Sequence, residues 1–284
     1  MSGTLYLVAT PIGNLEDITL RALRILREVD LIAAEDTRVS GKLLKHYEIK
    51  TPMISYYQHN QVQRGAELLA MLHDGKNIAM ISDAGTPAVC DPGSSIAMAA
   101  ITEGLPVVAI PGASALLAAL VSSGLDSTAF CFGGFLPRQK KDRRNTLLSL
   151  SRESRTMIFY EAPHRVLATL KDMAEIFGAE RAMAIGRELT KLHEELLRGS
   201  IIDMLEAFSV REPKGEFVLI VSGAAEKQEQ PDAVDVEVEL KLLLEQGLPR
   251  KEAARILAEK YGLKVREVYD MGLRCIMSGN MLKK

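Results

Sequence analysis

The sequence predicts an α/β fold of two domains followed by a small helical unit, and three observations carry that expectation. Short apolar runs of strand length alternate with segments of helical periodicity over the first 125 residues. Several of those runs end in polar turns rich in glycine and proline, as strands of a parallel sheet do at a ligand crevice. A polar, acidic stretch near residue 230 then separates this part from three further helical segments.

Taken in order, the strands are Leu5–Ala9, Leu31–Ala34, Met53–Tyr56, Asn77–Ser82 and Val107–Ile110. Asn77–Ser82 is uncharged and apolar throughout, so it reads as a strand covered on both faces. Between the strands, Ile18, Leu20, Leu23, Ile25 and Leu26, and later Ala66, Leu68, Leu69, Met71 and Leu72, recur at helical spacing. Gly104–Leu125 holds 22 residues without a charge, the length of a membrane span. Pro106, Pro111, Gly112 and Ser114 cut it into a strand and a helix, Ala115–Val121, so it is expected to be core. A second set of strands, Phe130–Gly133, Thr156–Tyr160, Ala182–Ile185 and Phe217–Val221, follows the Ser122–Gly124 break, with helices expected between them. Helices are expected at Val238–Gln246, Arg250–Tyr261 and Val265–Met277, with Gly247 and Gly262 as stops. The domains are therefore drawn at residues 1–122 and 123–224, with a linker at 225–237 and a helical unit at 238–284.

Composition narrows the classes. With 35 basic and 37 acidic residues in 284, there is no overall basic footprint, so any nucleic-acid contact must be local. Cys90, Cys131 and Cys275 are far apart and contain no CxxC pair, as in a reduced cytoplasmic chain. The five histidines are scattered, and no metal site is expected. An export signal and a membrane anchor are not expected either, since the apolar start is only strand length.

The most informative turn is Asp83–Ser95. Gly85 and Gly93 permit close backbone approach, Pro87 and Pro92 stiffen the chain, and Asp83 and Thr86 supply polar atoms. Ser94 or Ser95 is expected to cap the helix that follows. The loops Thr10–Leu15 and Pro111–Ser114 fall at the same sheet edge. Neither G-x-G-x-x-G nor GxxxxGK[ST] occurs, which argues against a dinucleotide or a nucleoside triphosphate held in a phosphate nest.

Six stretches in order, Val8–Leu15 (VATPIGNL), Ala34–Arg38 (AEDTR), Ile81–Pro87 (ISDAGTP) with Asp91–Gly93, Ile110–Ser114 (IPGAS), Phe159–Arg165 (FYEAPHR) and Lys214–Phe217 (KGEF), carry a resemblance spanning nearly the whole chain. Together they resemble the small-subunit ribosomal RNA methyltransferase I family of the tetrapyrrole methylase superfamily. One departure is Cys90, where the family usually has Ser. The resemblance implies two α/β domains of the tetrapyrrole methylase type, with S-adenosylmethionine in the cleft between them. It further implies a homodimer and, as acceptor, the 2′-hydroxyl of a cytidine in the decoding region of 16S rRNA in the small ribosomal subunit. By position it implies cofactor contacts from Pro11, from Asp83, Gly85 and Thr86, from Ser114 and Ala115, from Tyr160, Glu161 and Ala162, and from Phe217 and Val218.

The chemistry bears on some of these positions independently. A cationic donor needs carboxylates, for which Asp83 and Glu161 are candidates, beside an apolar slot. A ribose hydroxyl is a weak nucleophile and gains from a placed base. Asp36, His59, Glu188 and Glu194 are the candidates, the alternatives being that Asp36 caps a helix and pairs with Arg38, that His59 is a surface loop histidine, and that Glu194 and Glu195 form a solvated face. For RNA, Arg138, Lys140, Lys141, Arg143 and Arg144 set five basic residues against Asp142, beside the expected cleft. The C-terminal segment carries nine Lys or Arg against four acids from Leu248 to Lys284, and around Gly262 it resembles a helix-turn-helix. Two other readings therefore remain: a DNA-binding regulator, and a methyltransferase of the same superfamily acting on a tetrapyrrole or a diphthine-type substrate.

Overall fold

The computed structural model describes residues 2–224 and 233–271, with side chains from 236 onward in the second stretch. The chain divides into two compact units after Ala224.

The first unit opens with the alternation read from the sequence: β1 (Leu5–Val8), α1 (Leu20–Glu28), β2 (Leu31–Ala34), α2 (Thr37–His46), β3 (Met53–Ser55), α3 (Gln61–His73), β4 (Ile78–Ile81), α4 (Gly93–Thr102), β5 (Val107–Ile110) and α5 (Ala115–Ser123). The five strands form one parallel sheet in the order β3-β2-β4-β1-β5. Apolar side chains coat both faces. Val8, Leu26, Ile32 and Ile81 pack on one side, and Leu5, Leu31, Tyr56, Leu68 and Met80 on the other. Strands covered twice need no polar face, which is why β2 and β4 are uninterrupted apolar runs.

At the N-terminal edge of this sheet the backbones of Gly3 and Lys76 touch. A Cβ on Gly3 would sit 1.9 Å from the Lys76 carbonyl oxygen, while the Gly3 amide donates to Leu72 O at 2.7 Å and Ile78 N to Thr4 O at 3.0 Å. Gly3→Ala must push β1 away from β4, and we expect a loss of about 2–3 kcal/mol, the upper range for overpacking, measurable by urea denaturation.

A second five-stranded sheet contains β6 (Phe130–Phe135), β7 (Thr156–Glu161), β8 (Ala182–Arg187), β9 (Glu195–Ser200) and β10 (Phe217–Val221), in the order β6-β7-β10-β8-β9. Only the β6–β7 pair is parallel; β10 runs antiparallel to β7 and β8, and β9 to β8. Helices α6 (Lys140–Ser149), α7 (Pro163–Phe177) and α8 (Ile201–Ser209) accompany it, and Leu147, Val166, Leu170, Met204 and Phe208 join one core with its strands.

Two sequence-based expectations change here. Strand β9 was not anticipated, and Glu195 is not an idle solvated acid. It opens that strand and pairs with Arg187 at 3.2 Å and Arg211 at 2.9 Å. An edge strand reading Glu-Leu-Leu-Arg-Gly-Ser has no alternation to betray it. Packing also runs across residue 122. Ala119 and Leu120 of α5 pack with Ile158, Ala184, Val218 and Ile220, so α5 covers the free face of the second sheet. The two sheets thus belong to one compact unit, residues 1–224.

The second unit holds α9 (Ala233–Glu245) and α10 (Arg250–Tyr261), with helix again at 265–271. Val236, Leu240, Ala254, Leu257 and Val268 form its core. Helix α9 begins inside the expected linker, and α10 stops at Gly262 as expected. Cys275 and the end of the third expected helix lie outside the described residues. No helix among the described residues is long and apolar enough to cross a membrane.

Candidate active site

Three loops meet beyond the C-terminal ends of β1, β4 and β5, and their backbone and side-chain bonds explain why the glycine and proline content is so high there. Thr10 and Gly85 exchange amide-to-carbonyl bonds at 2.9 and 3.0 Å, and the Thr10 hydroxyl donates to Ser82 O at 3.2 Å. Gly85 has φ +79°, and a Cβ there would meet Ile12 at 3.3 Å. The Thr86 hydroxyl donates to Ala113 O at 3.2 Å, tying in the third loop. The loop after β2 joins through a reciprocal pair: the Asp36 amide donates to Asp83 Oδ1 at 3.0 Å, and the Asp83 amide to Glu35 Oε2 at 3.3 Å.

These loops wall a cavity of about 370 Å³, which the second sheet closes with Tyr160, Phe217 and Val218. That volume is ordinary for a small-molecule site. Its charged lining is Glu35, Asp83, Asp91, Glu161 and Glu216, with no basic side chain. Burial pushes the Glu35 carboxyl up, and the nearby Asp83, Asp91 and Asp36 add to the rise. Burial raises Asp83 too, with the Asp36 charge contributing. A cation bound beside them would favour the charged forms of both. The opposite wall is apolar and aromatic: Tyr160 meets Phe132 edge-on with centroids 4.9 Å apart, and Phe135 at 5.5 Å. An acidic end and an apolar slot fit an ammonium- and sulfonium-bearing ligand with a flat base.

Of the eleven residues assigned to the cofactor by resemblance, Asp83, Gly85, Thr86, Ser114, Ala115, Tyr160, Glu161, Ala162, Phe217 and Val218 line this cavity. Pro11 does not; it lies in the adjoining cavity described below. Glu161 reaches the wall, but its carboxylate is already engaged. It accepts from the Thr169 hydroxyl at 2.6 Å and the Ala162 amide at 2.9 Å, and Arg165 is 3.4 Å away. It braces the strand end, and of the acids lining the cavity Asp83 and Glu35 carry no ion pair among the described residues. The expected Ser94 or Ser95 cap is also replaced. Asp91 Oδ1 accepts from the amides of Ala88 at 2.9 Å and Gly93 at 2.7 Å, closing the turn, while the Ser95 hydroxyl meets Tyr56 Oη at 2.8 Å.

The three leading base candidates sit elsewhere. Asp36 caps α2 through the Arg38 amide at 2.8 Å and grips the Arg38 guanidinium at 2.7 Å, which holds its carboxyl at about 2. Such an anion is a weak proton acceptor. His59 is exposed beside Tyr57, away from both cavities. Burial alone would raise Glu188, but Lys191 at 2.8 Å and the Glu216 amide at 3.0 Å hold it low. It fixes the turn at residues 188–191, whose Thr190 hydroxyl accepts the Asn14 amide at 3.1 Å across from the first sheet. Glu194 accepts the Thr190 amide at 2.6 Å in the same turn.

The basic segment splits in two. Arg143 is buried and bonds Asp172 at 2.7 Å, and Arg144 bonds the other oxygen of Asp172 at 2.9 Å and also pairs with Glu175. Arg143 is therefore structural, and Arg144 is neutralised. Arg138, Lys140 and Lys141 remain exposed and without an ion pair among the described residues. The Arg165 guanidinium donates to the carbonyls of Leu136 at 2.7 Å and Pro137 at 2.9 Å, anchoring the start of this segment beside Phe135 on the cavity wall.

Sequence reasoning missed Ile12, Phe135, Leu189 and Glu216 as lining residues. Ile12 and Glu216 lay inside quoted motifs, whereas Phe135 and Leu189 carried no local signal. Among the described residues no cluster of three or more His, Cys, Asp or Glu side chains could hold a metal ion.

A parallel sheet whose loops form an acid-lined cavity closed by a second, mostly antiparallel sheet defines a two-sheet α/β class, and known proteins share its fold. The family model described as Tetrapyrrole (Corrin/Porphyrin) Methylases matches residues 4–204, and one described as RsmI C-terminal HTH domain matches residues 230–275. A ribosomal RNA small subunit methyltransferase I from Synechocystis sp. is 49% identical over 98% of this chain and 100% of that protein. The protein of that name from Bacillus subtilis is 44% identical over 94% and 93%. In fold, the uroporphyrin-III C-methyltransferase of Thermus thermophilus complexed with S-adenyl homocysteine aligns with TM-score 0.56 at 20% identity, over 78% of this chain and 97% of that one. A diphthine synthase aligns with TM-score 0.59 at 13% identity, over 78% and 90%. The chain belongs to the tetrapyrrole methylase family and, within it, to the ribosomal RNA small subunit methyltransferase I group.

Proposed function

We propose that this protein transfers the methyl group of S-adenosylmethionine to the 2′-hydroxyl of a cytidine in the decoding region of 16S rRNA, working in the cytoplasm as a homodimer. The observation that carries the reading is the pairing of near-full-length similarity to rRNA methyltransferases with a cavity lined by carboxylates and no basic side chain. A cofactor product bound in a protein of the same fold supports the donor.

When bound, the cofactor supplies an electrophilic methyl on a cationic sulfur. The chain's part is alignment and charge. Asp83 and Glu35 neutralise the cationic end, and Tyr160, Phe217 and Val218 hold the apolar end. Transfer to the ribose oxygen would require the hydroxyl proton to leave. Of the two carboxylates on the wall shared with the adjoining cavity, Asp83 is given to the cation, which leaves Glu216, bonded by Lys191 at 2.9 Å, as the candidate acceptor.

Incubation with labelled cofactor and unmodified 30S subunits, followed by nucleoside mass spectrometry, should give 2′-O-methylcytidine in 16S rRNA. Methylation of a tetrapyrrole or diphthine-type substrate alone, or selective duplex DNA binding without any transfer, would overturn the proposal. Lys140→Gln with Lys141→Gln should weaken 30S binding and reduce its salt slope by about two phosphate contacts without changing cofactor affinity, as filter binding across a salt series would report. Light scattering at micromolar concentration should give the dimer mass.

A further inference from the structure

Beside the first cavity lies a second, of about 260 Å³, and the two share Ile12, Ser82, Asp83, Ala84 and Glu216. Their charge differs. The first is acidic without relief, whereas the second sets Lys42 and Lys191 against Asp83 and Glu216. Lys191 is engaged by Glu188 and Glu216. Lys42 is exposed at the rim and has no ion-pair partner among the described residues.

The walls suit a nucleoside as well as a charge. Pro11, Leu15, Val39 and Leu43 are apolar surfaces against which a base can lie. Ser40, between them on α2, is only 3% exposed. Among the described residues its hydroxyl is one of few buried side-chain polar atoms with no hydrogen-bond partner. A buried hydroxyl left single is uncommon, and with its oxygen covered in this rotamer it meets a ligand in the cavity by turning about χ1.

We propose that this second cavity seats the acceptor nucleotide, with Lys42 on its phosphate and the Ser40 hydroxyl hydrogen-bonded to the nucleoside. The inference rests on the methyltransferase reading above and adds its acceptor subsite. It follows from a division of charge: a cationic donor belongs in the acid-only cavity, an anionic acceptor beside the unpaired lysine, and the shared wall at Asp83 is where the two meet. Ser40 and Lys42 act as positioning residues.

The test uses the full chain with bound cofactor and unmodified 30S subunits, comparing Lys42→Gln, Lys42→Arg and Ser40→Ala. Lys42→Gln should raise KM for 30S at least fivefold and flatten the salt dependence by about one phosphate contact, with Lys42→Arg restoring both. Ser40→Ala should lower kcat/KM about tenfold. Cofactor affinity by calorimetry and the melting temperature should stay at wild-type values. Wild-type KM and kcat/KM in both Lys42→Gln and Ser40→Ala would overturn the subsite. If the wild type fails to methylate 30S, the functional reading falls by itself, and the subsite is judged by NMR titration with cytidine 3′-monophosphate in the presence of S-adenosylhomocysteine. Weaker binding to Lys42→Gln than to wild type supports it; equal binding, or none to the wild type, overturns it.

Discussion

Replacing Asp83 by Asn should weaken S-adenosylmethionine binding tenfold to hundredfold while leaving the free protein at least as stable as wild type. A charge-assisted hydrogen bond contributes about 1.5–3 kcal/mol, which sets that range. Asn keeps the oxygen that accepts the Asp36 amide, so the loop is retained. The stability half follows from proton linkage. Burial raises the Asp83 and Glu35 carboxyls in the folded state, so folding favours their protonated forms. Stability is then greatest below their ordinary values and declines as pH rises through the raised ones. At neutral pH each anion strains the free protein, and a neutral isostere relieves it. Calorimetric titration and thermal melting of the same preparation separate the two effects. Unchanged affinity, or a large drop in melting temperature, would contradict the assignment of Asp83 to the cation.

The second large effect is at Arg143. Arg143→Met should cost about 3 kcal/mol, the low end of the penalty for leaving a buried charge unpaired, because Arg144 still holds one oxygen of Asp172. Urea denaturation will show it. Burial would raise the Asp172 carboxyl, but Arg144 and Arg143 overrule it and hold it low. The pair therefore contributes stability above the usual carboxylate range and loses it as pH falls through the depressed value. In the variant only the part held by Arg144 is left, so the gap between the two proteins should narrow in acid. Asp172→Leu added to Arg143→Met should recover most of the loss, since the buried charge is removed with its partner. A gap that stays constant with pH would mean that lost packing, and not an unpaired carboxylate, is responsible.

Much of the first sheet was legible because parallel strands covered on both faces are apolar without interruption, and β2 and β4 need no tertiary context to be seen. The ligand loops were legible for a related reason. Gly85, Thr86 and Pro87, coming straight after such a strand, mark a sharp and stiffened turn at the sheet's end. Strand β9 was hidden because an edge strand is solvated and mixed in character. The placement of α5 was not legible, because local composition marks where a helix ends, not which sheet it covers; α5 covers the second sheet through Ala119 and Leu120.

Charge was the property least readable from the chain. Arg138, Lys140, Lys141, Arg143 and Arg144 look alike in sequence, yet the last two are tied to acids some thirty residues away on α7. Asp36 and Glu188 looked like bases and are held by Arg38 and Lys191. The alternation of strand and helix, the apolar core and the position of the glycine- and proline-rich loops are local properties, readable from the chain because they depend on periodicity and backbone freedom within a few residues. Only the tertiary structure decided which charges are free, which carboxylates face the cavity and where the second cavity opens, because burial and pairing depend on partners that the chain brings together from far apart.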